Sequence, residues 1–190
     1  MNRRSYSAMV RATRNYFRLN CGILIALFAM GTLFAIFGNN FLTKTNMVNL
    51  LRTCATNCYL AIGVQLAIIL AGIDLTGGAL AALSGVMCVM TFESFGLPIP
   101  MGIAVGILVG TFVGLINGVI ITYTGIHPFV VTLAMQSVCR GAAYLIANGS
   151  PVTTKNTNFS AFGTGSLGVV PYPVIYMIIS VSYTHLTLPT

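Results

Sequence analysis

Read from the amino end, the chain alternates long apolar runs with short polar breaks. No Asp, Glu, Lys or Arg occurs in residues 21–43, 53–73 or 75–92, nor between Glu93 and Arg140. A helix that crosses a bilayer needs roughly 17–25 apolar residues, and each window holds at least one such length. The pattern predicts six helical segments. The first covers about residues 21–38 and stops at Asn39-Asn40. A short amphipathic piece follows, with Lys44, Asn46, Asn49 and Arg52 interleaved among Met47, Val48, Leu50 and Leu51. The second span covers about 56–72, Asp74 breaks the run, and the third covers 77–92. Glu93, Pro98 and Pro100 make the next turn, and proline suits the first turn of the fourth span, where its missing N–H has no partner to lose. That span runs from about 100 to 123. Gly125-Ile126-His127 is a tight connection, Pro128 opens a fifth helix, and Asn148-Gly149 closes it. Residues 150–168 are rich in Thr, Asn, Ser and Gly and read as a loop, after which a sixth span starts near Pro171. The expected fold class is all-α, a polytopic transmembrane helical bundle of about six spans.

The fourth span carries the clearest internal repeat. Gly102, Gly106, Gly110, Gly114 and Gly118 recur at every fourth residue. In lipid, small residues at this spacing let two helix backbones approach closely. Each step of four turns the helix by only about 40°, so the glycines trace a slowly winding groove, and neighbouring helices are expected to clasp it.

Composition sharpens the membrane reading. Only 6% of the 190 residues are charged and 56% are hydrophobic. A soluble domain carries about 25% charged residues, so this chain cannot present an ordinary aqueous surface. Its net charge of +7 does not point to nucleic acid, because Arg3, Arg4, Arg11, Arg14 and Arg18 all precede the first apolar run. That asymmetry places the amino terminus in the cytoplasm. Lys44, Arg52 and Lys155 then fall on external segments, outweighed by the basic tail. No small-x-small cleavage pattern follows Gly38, so the first span reads as an uncleaved start-transfer helix.

Several chemistries are not expected. No G-x-x-x-x-G-K-[ST] loop occurs, so the chain should not bind ATP itself. Cys54 and Cys58 share a helix face without a nearby His or acid, and with Cys21, Cys88 and Cys139 they read as small packing residues; no metal and no cofactor is expected. Two acids in the whole chain cannot supply a proton relay of the usual kind. The chain does not read as an enzyme.

A set of strings resembles a known family. They are Asn46-Met47-Val48-Asn49-Leu50-Leu51-Arg52, Ala61-Ile62-Gly63, and Leu70-Ala71-Gly72-Ile73-Asp74-Leu75-Thr76-Gly77-Gly78. Gly114-Leu115-Ile116-Asn117-Gly118, Pro128-Phe129-Val130-Val131-Thr132-Leu133, Arg140-Gly141 and Asn148-Gly149-Ser150-Pro151-Val152 follow in order. Together they are similar to the permease subunits of ribose-type ATP-binding-cassette importers, which also serve xylose, arabinose, galactose and related solutes. The likeness covers about residues 39–180. It departs at Thr76-Gly77, where the family has Ser-Val; threonine keeps the hydroxyl and glycine loosens the turn.

The resemblance implies a permease of the bacterial inner membrane that takes part in moving a monosaccharide. Its implied partners are a cytoplasmic ATP-binding subunit, an extracytoplasmic sugar-binding protein and a second permease copy, all around a lipid bilayer and with no nucleic acid. The domains expected are a basic cytoplasmic tail over 1–20, a transmembrane permease domain over 21–181, left incomplete, and a tail over 182–190. That tail turns polar where a span should stay apolar and resembles translated adapter sequence. The family's coupling helix would lie beyond it.

Candidate path or gating residues are Asp74, Thr76, Asn117, Thr132, Gln136 and Arg140, with Tyr59 and Gln65 as further polar lining. For each polar residue the plainer reading is a helix–helix hydrogen bond. For Asp74 it is an N-cap of the third helix. Arg140 lies twelve residues into the fifth helix, roughly 18 Å from its start at 1.5 Å per residue. A cation at that depth should face protein or a wet cavity, with backbone carbonyls or water as its partners. Two other readings compete: a secondary transporter, which needs membrane-embedded ionisable groups, and a non-transporting membrane scaffold.

Overall fold

The computed structural model describes residues 21–69, 72–168 and 170–187. The basic tail over 1–20 and the last residues, 188–190, lie outside the described residues. The described chain is all-α apart from one two-stranded ladder, and it divides into two compact units, Met1–Asn49 and Leu50–Thr190.

In the first unit, helix α1 covers Cys21–Phe37. Asn40, at φ 71°, turns the chain, and the Phe34 and Phe41 rings meet at 5.7 Å across that turn. Thr43 Oγ1 accepts from the Asn46 N–H at 3.4 Å, and the Asn46 amide donates to the Phe41 carbonyl at 2.7 Å. These bonds satisfy free donors at the start of the next helix, α2, Lys44–Ile69. The amphipathic piece and the second span are therefore one helix of 26 residues, not two elements. Nothing between Arg52 and Thr56 breaks a helix, because Thr53, Cys54 and Ala55 all tolerate one.

The second unit is built on α3 (Gly77–Glu93), α4 (Ile99–Thr124) and α5 (Pro128–Ile146). Local chemistry sets their ends. Pro100 sits in the first turn of α4, and Gly125, at φ 67°, terminates it by donating to the Ile121 carbonyl. His127 precedes α5, and its Nδ1 accepts from Phe129 N–H. Asn148 and Gly149 both take positive φ at the far end, where the Gly149 N–H reaches back to the Tyr144 carbonyl at 3.0 Å. Ala79, Leu83, Val113, Cys139 and Ala143 form the core that the three helices share.

The α3–α4 seam is the tightest contact. A Cβ at Gly102 would lie 2.6 Å from the Cys88 carbonyl oxygen, and one at Gly106 would lie 3.3 Å from that of Ser84. At Gly110, Gly114 and Gly118 a Cβ would meet nothing within 4 Å. Among the described residues, then, the neighbours clasp only the beginning of the glycine groove. The reason is geometric: four steps of 40° sweep about 160°, which carries the later glycines off the α3 seam.

After α5 the polar segment is not a plain loop. It holds α6 (Thr157–Thr164) and a ladder of β1 (Ser166–Leu167) with β2 (Val170–Pro171), which leads into α7 (Tyr172–Thr187). Asn156, whose side chain accepts from Asn158 and Phe159 N–H, supplies the cap that starts α6.

Among the described residues, two helices, Ile99–Thr124 and Pro128–Ile146, are individually long and apolar enough to cross a membrane; α1, α3 and the apolar part of α7 are shorter. Ile107, Leu108, Phe112 and Leu115 on α4 are each 63–66% exposed, a concentration of large apolar side chains that water does not favour and lipid does.

Candidate functional site

Backbone contacts fix the relative direction of α3, α4 and α5. At one end, residues 72–76, the described part of the connector between α2 and α3, lie against the start of α5: the Thr132 hydroxyl donates to the Ile73 carbonyl at 3.1 Å, and Pro128 stands 3.7 Å from where a Gly72 Cβ would be. At the other end, Glu93, the last residue of α3, bonds to residues 154 and 155 beyond α5. Helices α3 and α5 thus run the same way, α4 runs back antiparallel to them, and α3 is the helix that packs against both.

The connector is held by a small set of hydrogen bonds. One oxygen of the Asp74 carboxylate accepts from the Thr76 backbone N–H at 2.8 Å and also from the Thr76 hydroxyl. Thr76 is 1% exposed, and its carbonyl accepts from Leu80 N–H in the first turn of α3. Asp74 does not cap the helix directly. Thr76 occupies the cap position with helical backbone angles and no side-chain capping bond, and Asp74 braces it from two residues upstream. Thr132 is nearly buried and divides its hydroxyl between the Ile73 and Phe129 carbonyls. The arrangement joins an irregular stretch of backbone to α5 through a single side chain. It can act as a hinge, since the groups that hold it are few and the atoms that bend are not in a helix.

The remaining candidates do not join this cluster. Asn117 is 7% exposed on the core side of α4, and its Oδ1 is buried without a partner among the described residues. Gln136, one turn beyond Thr132, is half-buried and makes no hydrogen bond among the described residues; Gln65 is exposed on α2. Tyr59 donates to the Pro173 carbonyl at 2.8 Å, a bond between α2 and the start of α7, which is the plainer of its two readings. Arg140 is exposed on α5 and bonds to no carbonyl or acid among the described residues, which leaves water or a group outside them as the partner. Helical geometry explains this: Val131, Thr132, Cys139 and Ala143 define the buried face of α5, and Arg140 points away from it.

Two residues that matter to the architecture carried no strong signal in the sequence. Glu93 gathers the segment after α5, and Arg52 donates to the Thr164 carbonyl at the end of α6. The clue for the first was its isolation, one acid at the edge of an apolar span. For the second there was none, because its acceptor is a backbone carbonyl 112 residues away.

Comparison with known proteins adds the following. Residues 46–187 match a family described as the permease component of the branched-chain amino acid transport system. The ribose import permease protein RbsC of Bacillus subtilis is 38% identical over 161 residues, 84% of this chain and 50% of that protein. The galactofuranose transporter permease protein YtfT of Escherichia coli is 39% identical over 70% of this chain and 39% of its own length. The D-allose transport system permease protein AlsC of Escherichia coli is 33% identical over 80% of this chain and 48% of its own. The chain spans about half the length of the ribose and allose permeases it matches. No solved structure matches.

Proposed function

The chain belongs to the permease-component family of these transport systems, and from that premise we infer that it forms part of the membrane-spanning subunit of an ATP-driven importer that carries a monosaccharide across the bacterial inner membrane. The observation that carries this reading is the match to a ribose import permease over 84% of the chain. Relatives named for ribose, galactofuranose and allose support a sugar as the solute class.

In this reading the amino terminus lies in the cytoplasm, so the Asp74–Thr76–Thr132 connector is at the inner end of the helices and Glu93 at the outer end. The connector serves as the hinge at which α2 changes its angle to α3 and α5 between inward- and outward-open states. Asn117, Gln136 and Arg140 supply polar groups along the path or at a subunit seam. An unpartnered buried acceptor such as Asn117 Oδ1 costs free energy in the closed protein and gains a donor from a passing hydroxylated solute or water. Energy comes from a cytoplasmic ATP-binding subunit, sugar from an extracytoplasmic binding protein, and a second permease copy completes the pathway. A secondary transporter is less well supported, because Asp74 and Glu93, the two acids of the sequence, both sit at helix ends and not within a span.

A chimera tests the reading. Residues 46–187 replace the matching half of the Bacillus subtilis ribose permease in a strain that lacks its own. Growth on ribose or a related sugar, dependent on the host's ATP-binding subunit, is the expected result. A chimera that inserts stably yet supports growth on no sugar of this class counts against it.

A further inference from the structure

Helices α3, α4 and α5 pack on one another through the shared core, while α6 packs on α7. Residues 151–164 connect the two groups, and their two ends are held in different ways. At the start of this segment, the Thr154 hydroxyl and the Lys155 N–H donate to one oxygen of Glu93, at 2.6 and 2.9 Å. Asn156 follows at once as the cap of α6, and Phe159, in the first turn, stacks against Phe92 at 4.9 Å. Glu93 therefore sets where α6 begins. At the end of the segment, the Thr164 carbonyl accepts from Arg52 on α2. There the chain is also closely packed: Tyr172 N–H donates to the Gly165 carbonyl at 3.0 Å, and a Gly165 Cβ would lie 2.7 Å from the Tyr172 ring.

The two anchors differ in how easily they part. The Arg52 end is backed by ring-to-backbone contact and by the Tyr59–Pro173 hydrogen bond. Both anchoring bonds are exposed, but the Glu93 end borders an open cleft of about 520 Å³ whose floor is Phe92, Leu97, Pro98 and Ile99. The start of the segment is thus held beside unfilled space by exposed hydrogen bonds that water can replace, with the tilted Phe92–Phe159 ring contact as its apolar support.

We propose that residues 151–164 form a strap across this end of the protein, with a fixed anchor at Arg52 on α2 and a releasable latch at Glu93 on α3. With the latch closed, the strap ties α2 and α7 to the α3–α4–α5 group. With it open, the α3–α5 group is free to shift against them while α6 stays with α7. The strap rests on contacts within the chain and holds whether or not the protein imports sugar.

Lys155 is itself the reporter, since opening the latch exposes the bond after it to trypsin. The chain is purified in mild detergent, and cleavage after Lys155 is timed against cleavage after Lys44 in the same sample. Glu93→Ala should speed cleavage at Lys155 by at least about fivefold and leave Lys44 unchanged. Glu93→Gln should fall between, because a neutral amide oxygen accepts the same bonds more weakly. Tyr59→Phe, which alters only the fixed anchor, should leave the Lys155 rate within about twofold. Should Glu93→Ala speed cleavage at both sites, the fold has been lost and Thr154→Val decides. A selective rise at Lys155 in that variant supports the latch, and an unchanged rate overturns it. Rates at Lys155 unchanged in both Glu93→Ala and Thr154→Val likewise overturn it.

Discussion

Among the five glycines of the α4 stripe, Gly102 is the position where one added carbon meets the most resistance. Its Cβ would sit 2.6 Å from a backbone oxygen of α3 and 2.8 Å from the Phe92 ring, and a backbone oxygen cannot swing aside as a flexible side chain can. Gly102→Ala is expected to destabilise the chain by about 1–3 kcal/mol, the range for overpacking a close contact. Gly114→Ala, with open space around it, should be neutral or stabilising by up to about 1 kcal/mol, because alanine is the better helix former. Thermal unfolding of the two variants in one detergent checks the contrast. The stripe itself was plain in the sequence, but which of its glycines meet a neighbour depends on where α3 crosses α4, and spacing does not encode that.

Asn117 Oδ1 and the Arg140 guanidinium are polar groups without a hydrogen-bond partner among the described residues. Replacing a buried acceptor that has no partner by an apolar group of similar size removes a desolvation penalty, so Asn117→Leu should be neutral or stabilising by about 1 kcal/mol in the isolated chain. Arg140→Ala should insert normally and impair uptake in the complete transporter, and Arg140→Lys should restore only part of it, lacking the planar fork of donors. Normal uptake by the Ala variant would remove Arg140 from the pathway.

At the scale of elements, the helix ends that proline and glycine specify were readable in advance: Pro100, Gly125, Pro128 and Gly149 all act through their own backbone preferences. The continuity of α2 and the existence of α6 were not. The first depends on the absence of a breaker, which charge patterning hides. The second depends on Asn156 being held in place by Glu93 from a distant part of the chain. The same limit applied to the connector. Asp74 and Thr76 are neighbours in sequence, but the acceptor of the Thr132 hydroxyl is a carbonyl with no side-chain signature.

Thr132→Val keeps the shape and removes that donor, so amide exchange over residues 72–76 should quicken while the core of α3 stays protected, at a cost of about 1 kcal/mol. Unchanged exchange there would mean that the hydroxyl does not hold the connector. The strap adds a pH dependence. The Thr154 hydroxyl, followed by the Lys155 N–H, holds the Glu93 carboxyl below the usual carboxylate range, with the Lys155 ammonium as the charged group beside it. A depressed value means the latch is fully present above the unfolded carboxylate's pKa, near 4.3, and is lost as pH falls through the lower folded value. Exchange at the Lys155 amide, corrected for its intrinsic rate, should rise over that acidic window and not at neutral pH.

The molecule as a whole is a helical chain with exposed apolar faces, two acids placed at helix ends, and an irregular connector braced by Asp74 and Thr132. A bilayer accounts for the apolar faces, and the Asp74–Thr76 and Thr132–Ile73 hydrogen bonds tie the connector to the starts of α3 and α5. Nothing in the sequence supplies a nucleotide-binding loop, so this chain with ATP alone should move no sugar. ATP-driven import is tested by sugar uptake into vesicles. The vesicles carry the complete gene product with its ATP-binding subunit, ATP on the subunit's side and the binding protein on the other, and labelled pentoses and hexoses are supplied. Accumulation of one sugar that requires ATP hydrolysis and persists when ionophores collapse all ion gradients is the predicted result. Accumulation that proceeds without the ATP-binding subunit and stops with the ionophores would contradict it.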